Sequence, residues 1–123
     1  MVKQVTAAII KENGKYLICQ RAANDECALL WEFPGGKLEK GETLEECIIR
    51  EIKEELDLDI RPIDVFATSI YEFRERKAFF TVFNAEIVKG EMKLNVHDDA
   101  RWVSLEELSN YESLLNLIVN DLT

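Results

Sequence analysis

Three carboxylates in one short stretch, Glu51, Glu54 and Glu55, have the types and spacing to do chemistry. They stand at i, i+3 and i+4. On a helix such residues are neighbours, and like charges at that spacing repel. They fall in the C-terminal half of a segment with helical apolar spacing, where the helix dipole disfavours anions. At ~100° per residue from Leu44, Glu51 lies at roughly 340°, Glu55 at roughly 20° and Glu54 at roughly 280°. The first two sit inside the apolar arc of Leu44, Cys47, Ile48, Ile49, Ile52 and Leu56, and Glu54 sits on its edge. Glu46, Arg50 and Lys53 occupy the arc left for solvent. A divalent cation would turn each of these penalties into a gain, because hard cations prefer carboxylate oxygens and Mg²⁺ takes substrate phosphates as further ligands. The plain alternative is an acidic face neutralised by Arg50 and nearby lysines.

A second feature lies just upstream. Gly35 and Gly36 allow a sharp turn and a close approach of backbone to a phosphate or metal, with Lys37 and Lys40 adding positive charge. An ordinary strand-to-helix connection is the other reading of this loop.

The elements that must position these groups are legible around them. Thr43 with Glu46 forms a capping box that opens a helix over 43–56. Residues 4–10 and 15–20 are strand-like, joined at Asn13-Gly14, a strong hairpin signal. Trp31-Glu32-Phe33 reads as a short strand stopped by Pro34-Gly35-Gly36. Residues 63–73 and 78–88 are β-rich runs around a charged turn at 74–77, and Arg101-Trp102-Val103 is a further strand. The run 78–83 suits either the centre of a sheet or pairing across a dimer. Ser104 with Glu107 opens a second helix extending to about residue 121. Strands outnumber helices, which predicts an α+β or α/β/α sandwich with a mixed β-sheet, in one domain over 1–123.

Composition narrows the function. Among the 123 residues, 24 acids face 15 bases, for a net charge of −9. A nucleic-acid-coating protein is expected to be basic, so no polymer partner is expected. Segment 42–59 holds eight acids and two bases, two-thirds of the net negative charge. No apolar run reaches the ~18 residues of a membrane span, and MVKQVTAAII lacks a signal pattern. Cys19, Cys27 and Cys47 show no CxxC and read as reduced, buried thiols of a cytoplasmic protein. A single histidine, His97, excludes a zinc site built on several histidines.

The run from Gly36 through Glu42 to Arg50-Glu51-Ile52-Lys53-Glu54-Glu55-Leu56-Asp57-Leu58 resembles the Nudix box, GX5EX7REUXEEXGU, in every fixed position but one. Asp57 stands where the family has Gly, and Asp tolerates the left-handed turn that Gly makes there. Gln20-Arg21-Ala22-Ala23, Leu30-Trp31-Glu32-Phe33-Pro34-Gly35-Gly36-Lys37 and Arg101-Trp102-Val103-Ser104 extend the likeness to the MutT-type subgroup over most of residues 4–108.

The resemblance implies a Nudix-type α/β/α sandwich. It implies Mg²⁺, or Mn²⁺, held by Glu51, Glu54, Glu55 and the Gly35 carbonyl, with Arg50 and Glu42 fixing the carboxylates. It places Arg21, Phe33, Gly36 and Lys37 against the substrate. The implied activity is hydrolysis of nucleoside triphosphates, oxidised or modified ones included, in nucleotide-pool sanitation. The alternatives are another nucleoside diphosphate-linked substrate, such as ADP-ribose or a dinucleotide, or a non-catalytic nucleotide-binding module, in either case as a monomer or homodimer. Glu51 or Glu54 would accept the proton of the attacking water. Many relatives carry a further Glu where this chain has Val96, and Asp98 or Asp99 could substitute, with His97 in the same loop. Trp31, Phe73 and Phe79 could stack a base or pack in the core. The purine-reading Asn of MutT-type members has only Glu112 and Asn116 as nearby candidates.

Overall fold

The computed structural model describes residues 2–24, 30–73, 76–108 and 110–111, except the side chains of residues 71, 73 and 76. Among the described residues, seven strands and two helices follow in the order β1 (Val2–Glu12), β2 (Lys15–Gln20), β3 (Trp31–Glu32), β4 (Gly35–Lys37), α1 (Leu44–Leu56), β5 (Asp59–Phe73), β6 (Arg76–Lys89), β7 (Asp99–Val103) and α2 (Leu105–Leu108). The main path of the sheet is β3-β2-β1-β6-β5, with β4 joined to β1 and β7 to β2. β1 and β6 are parallel and the other pairs antiparallel, so the sheet is mixed and the fold α+β. Among the described residues no helix is long and apolar enough to cross a membrane.

Strand alternation divides the core in two. Ala8, Ile10, Leu17, Cys19, Phe83 and Ala85 face α1 and pack on Ile48, Ile52 and Leu56. Ala7, Ile9, Ile18 and Val82 face the other way, towards Phe33, Val103 and Leu108, with Leu105 and Tyr111 packed alongside. Helices therefore cover both faces, as the sandwich reading expects. Each buried Ile or Leu on α1 contributes roughly 1.5–3 kcal/mol of burial, which fixes the helix's rotation on the sheet.

Local signals explain the element ends. Asn13 (φ 53) and Gly14 (φ 76) are both left-handed in the β1–β2 turn. Thr43 Oγ1 accepts from Glu46 N at 3.1 Å, and Glu46 Oε1 accepts from Thr43 N at 2.9 Å, closing the predicted capping box. Ser104 and Glu107 make the same exchange at α2. α2 ends at Leu108, and Asn110 and Tyr111 close a turn through bonds to the Glu107 and Leu108 carbonyls, so the continuous helix expected to about residue 121 stops there. Glu112 and Asn116 lie outside the described residues, as does Cys27.

Several expectations need correction. Gly35-Gly36 does not end the strands: the chain resumes as β4, with Thr6 opposite Gly36 and Ala7 opposite Gly35. Neither glycine has a positive φ, so the requirement is space rather than a turn. A Cβ on Gly35 would lie 2.0 Å from the Thr6 carbonyl oxygen. β5 and β6 are longer than the composition suggested, and β6 lies between β1 and β5, which makes 78–83 central. Pro62 is tolerated because β5 is an edge strand with a register shift between Pro62 and Asp64. Ile49 is 39 % exposed, beyond the rim of the helix–sheet contact. Arg50 is half-buried rather than solvent-facing, because acceptors surround it.

Asp57 caps α1 at φ 56, ψ 32, and its N–H donates to the Lys53 carbonyl. A β-branched residue cannot hold that conformation cheaply. Asp57→Val should lower unfolding free energy by about 1–2 kcal/mol in urea titrations. Asp57→Gly should stay within about 1 kcal/mol, because relief of the turn offsets its lost surface ion pairs. Equal losses for the two variants would refute the conformational account.

Candidate active site

Arg50 organises the acidic cluster. Its Nε donates to Glu42 Oε2 at 2.5 Å and its Nη2 to Glu42 Oε1 at 2.9 Å, a two-pronged pair. Its Nη1 donates to Glu51 Oε1 at 2.8 Å and Glu54 Oε2 at 3.3 Å, and Nη2 also reaches the Lys37 carbonyl at 3.1 Å. Glu42 accepts a backbone bond from Glu39 N as well, and these contacts hold its carboxyl down at about 2. One guanidinium thus ties the loop before α1, the end of β4 and two of the three candidate carboxylates together.

Glu51 lies flat against β4. A Cβ on Gly36 would meet its Cδ at 2.3 Å, so glycine there is what lets the carboxylate sit. Burial pushes the Glu51 carboxyl up, against the pull of Arg50. Glu55 faces inward more deeply. Burial first, then the charges of Glu32 and Glu51, raises it from 4.5 to about 8, although a Gly35 backbone hydrogen bond and Arg21 oppose the shift. Its Oε1 is buried and has no hydrogen-bond partner among the described residues. Glu54 sits outside, with its side chain 60 % exposed beside Arg50. The helical spacing anticipated this division of the three.

A cavity of about 430 Å³ opens beside the cluster, with Glu51 and Glu55 in its wall. Arg21, Phe33, Gly35, Gly36 and Lys37 line it too, which brings together every residue expected at the substrate. Asp98 and Asp99 do not line it. Asp98 Oδ2 accepts from Ala23 N at 3.1 Å, and Asp99 pairs with Arg101 at 3.5 Å. Their loop instead contributes Val96 and His97 to the wall. Trp31 packs edge-on against Tyr111, under Arg101, as a core residue. The side chain of Phe73 lies outside the described residues, and the β6 aromatic on the cavity is Phe80 rather than Phe79.

Sequence reasoning also missed Glu32 as a site residue. Its Oε1 accepts from Arg21 Nη1 at 2.7 Å, and its Oε2 lies 2.9 Å from His97 Nε2. The register that places Cys19 opposite Glu32 was the only signal, and it requires knowing which strands pair. Cys19 and Cys47 are buried thiols whose ionisation burial suppresses. Cys47 also contacts Thr6 Oγ1 at 3.3 Å and the Gly36 carbonyl at 3.7 Å, so it supports the β1–β4 contact.

The donor set suits a hard divalent cation: carboxylate oxygens, one of them buried and unpartnered, beside a backbone free of side chains. Among the described residues no three His, Cys, Asp or Glu side chains already converge as a cage, and Arg50 engages Glu51 and Glu54.

A family model described as NUDIX domain matches residues 2–119. The chain is 33 % identical over 108 residues to the CTP pyrophosphohydrolase of Escherichia coli (strain K12), covering 88 % of this chain and 80 % of that protein. It is 35 % identical over 107 residues to the 8-oxo-dGTP diphosphatase of the same organism, covering 86 % and 83 %. The crystal structure of the MutT protein from Methanosarcina mazei Go1 superposes with a TM-score of 0.88 at 31 % identity, over 98 % of this chain and 89 % of that one.

The raised Glu55 carboxyl has a pH consequence in metal-free protein. A group whose folded pKa exceeds its unfolded value stabilises below the unfolded value, and that contribution is lost as pH rises through the folded one. Stability in EDTA should therefore fall as pH rises from 4.5 through about 8. Glu55→Gln should flatten that fall in urea titrations across the range. An unchanged slope in the variant would show that Glu55 is not its source.

Proposed function

Because the chain belongs to the NUDIX family, we propose that it is a Mg²⁺-dependent pyrophosphohydrolase that cleaves nucleoside triphosphates, oxidised or modified ones included, to monophosphate and pyrophosphate. The chain is a Nudix hydrolase related to nucleoside triphosphate pyrophosphohydrolases. The observation that carries the triphosphate reading is the buried, unpartnered Glu55 oxygen, held beside Glu51 against Gly35 and Gly36 on a nucleotide-sized cavity. Mn²⁺ is the other cation this oxygen-rich set accepts.

Glu51, Glu54, Glu55 and the Gly35 carbonyl would hold the cation. When bound, it neutralises phosphate oxygens, lowers the pKa of water and orients the leaving group. The chain's own residues do the rest. Arg21 and Lys37, in the cavity wall, offer positive charge to the phosphate chain. Phe33 and Phe80 give the cavity an apolar side for the nucleoside. Arg50 holds Glu51 and Glu54 near one another before substrate arrives, which limits reorganisation. Water attacks a phosphorus of the polyphosphate, the bond between the monophosphate and pyrophosphate portions breaks, and the water's proton passes to a carboxylate. Glu51, in the cavity wall, is better placed to accept it than Glu54, Asp98 or Asp99, which do not line the cavity. Cytoplasmic nucleotide-pool sanitation is the role this chemistry fits.

Pyrophosphate release should be assayed with Mg²⁺ and with EDTA on the ordinary NTPs and dNTPs, 8-oxo-dGTP, modified cytosine nucleotides, ADP-ribose and a dinucleoside polyphosphate. Metal-dependent release from a triphosphate is the expected result. Glu54→Gln and Glu55→Gln should each lower kcat/KM on the order of 100- to 1,000-fold. Arg50→Ala, which removes a supporting contact, should cost roughly 10- to 100-fold. Turnover of ADP-ribose or the dinucleotide alone would overturn the triphosphate assignment. Nucleotide binding without any turnover would identify a binding module instead.

A further inference from the structure

His97 is a buried residue whose half-satisfied ring needs an explanation. Its side chain is 2 % exposed, and Nδ1 has no hydrogen-bond partner among the described residues. Buried polar groups are normally satisfied, and leucine would fill the same space without a polar atom to satisfy. What the imidazole supplies is Nε2, 2.9 Å from Glu32 Oε2. A carboxylate only accepts, so Nε2 is the donor. The other oxygen of Glu32 receives Arg21 Nη1 at 2.7 Å. All three groups border the cavity, with Glu32 between His97 and Arg21.

The loop that carries His97 is tied at both ends. Lys93 N donates to the Leu56 carbonyl at 2.9 Å, Asn95 N to the Glu55 carbonyl at 3.0 Å and Asn95 Nδ2 to the Glu54 carbonyl at 3.0 Å. These bonds satisfy carbonyls that the end of α1 would leave open. On the far side, Asp98 N donates to the Gln20 carbonyl, next to Arg21. His97 is thereby fixed between the turn that bears the acidic cluster and the strand end that bears Arg21.

We propose that His97 is a positioning residue: by donating to Glu32 it fixes the carboxylate that aims the Arg21 guanidinium at the phosphate chain of the substrate. The inference rests on the triphosphate reading above. Without His97, Glu32 loses the bond that sets its rotation, and the Arg21 guanidinium loses a fixed acceptor.

A double-mutant cycle between His97 and Arg21 tests the relay, because Glu32 lies between them. His97→Leu should raise KM for the preferred triphosphate roughly tenfold, with a smaller change in kcat. It should weaken Mg²⁺-dependent binding of inorganic pyrophosphate, measured by calorimetry, in parallel. In an Arg21→Ala background the same substitution should change either quantity by no more than about twofold. His97→Gln, whose amide nitrogen can take the place of Nε2, should restore values to within about threefold of the parent. If His97→Leu fails to fold, Glu32→Gln takes its place in the cycle, with the same expected coupling to Arg21. Multiplying effects, or a glutamine variant as impaired as the leucine one, would overturn the relay. So would a leucine variant with a lower Tm but unchanged KM and pyrophosphate affinity, or a parent protein that binds no pyrophosphate. Coupling in pyrophosphate affinity from a protein with no triphosphate turnover would sink the proposed function and leave the relay standing.

Discussion

Arg50 presents N–H donors in a rigid plane, and the acidic site depends on where that plane lies. Glu42, Glu51 and Glu54 are like charges brought into one small region. Without a countercharge they would repel, and the turn of α1 that bears them would be under electrostatic load. A lysine could supply the charge but not the geometry, since a point charge does not bridge several separate acceptors in fixed directions. The same group also bonds the Lys37 carbonyl at the end of β4. It therefore sets the distance between helix and glycine strand as well as the spacing of the carboxylates.

That spacing has a steric counterpart. Gly35 is pressed against the backbone of β1, and Gly36 against the Glu51 carboxylate. β4 is consequently the layer through which α1 and β1 meet at the site. Thr6, beneath it, donates to the Gly36 carbonyl at 3.2 Å, and Cys47 joins the same group from the helix. Electrostatics pulls the elements together while the missing side chains let them close. Burial of Ile48, Ile52 and Leu56 then prevents α1 from rotating the carboxylates away.

The parts of this arrangement that follow a local period were readable from the chain. Helical spacing sorted Glu51 and Glu55 from Glu54, and the Thr43–Glu46 and Ser104–Glu107 boxes marked two helix starts. The fixed residues of the box drew Arg50 and Glu42 into the same reading. Ile49 was misassigned because a helical wheel gives direction but not how far the sheet extends beneath it. β4 was hidden because Gly-Gly carries no β propensity; its strand conformation comes from β1, about thirty residues away. Phe80 on the cavity, and the Glu32–His97 pair, depend on strand order and register. No local pattern encodes those. Asp98 and Asp99 had the right chemistry in the right loop, but the backbone hydrogen bonds of that loop turn His97 inward instead.

β1 also has a bearing on the order in which the molecule can be built. It pairs with β4 on one side and runs parallel to β6 on the other, from Val2 opposite Lys77 to Ile10 opposite Ala85. Pairing across so much intervening chain is entropically slow, and it is unavailable until the later partner exists. As the chain leaves the ribosome, the whole acidic helix emerges before β6 does. The floor that keeps Gly35 and Gly36 in place is then incomplete, and the carboxylates remain in water, where they repel one another and extend the segment. Completion of β6 is thus a precondition of a working site, and products ending before it carry the full motif without the parallel pairing that seats it.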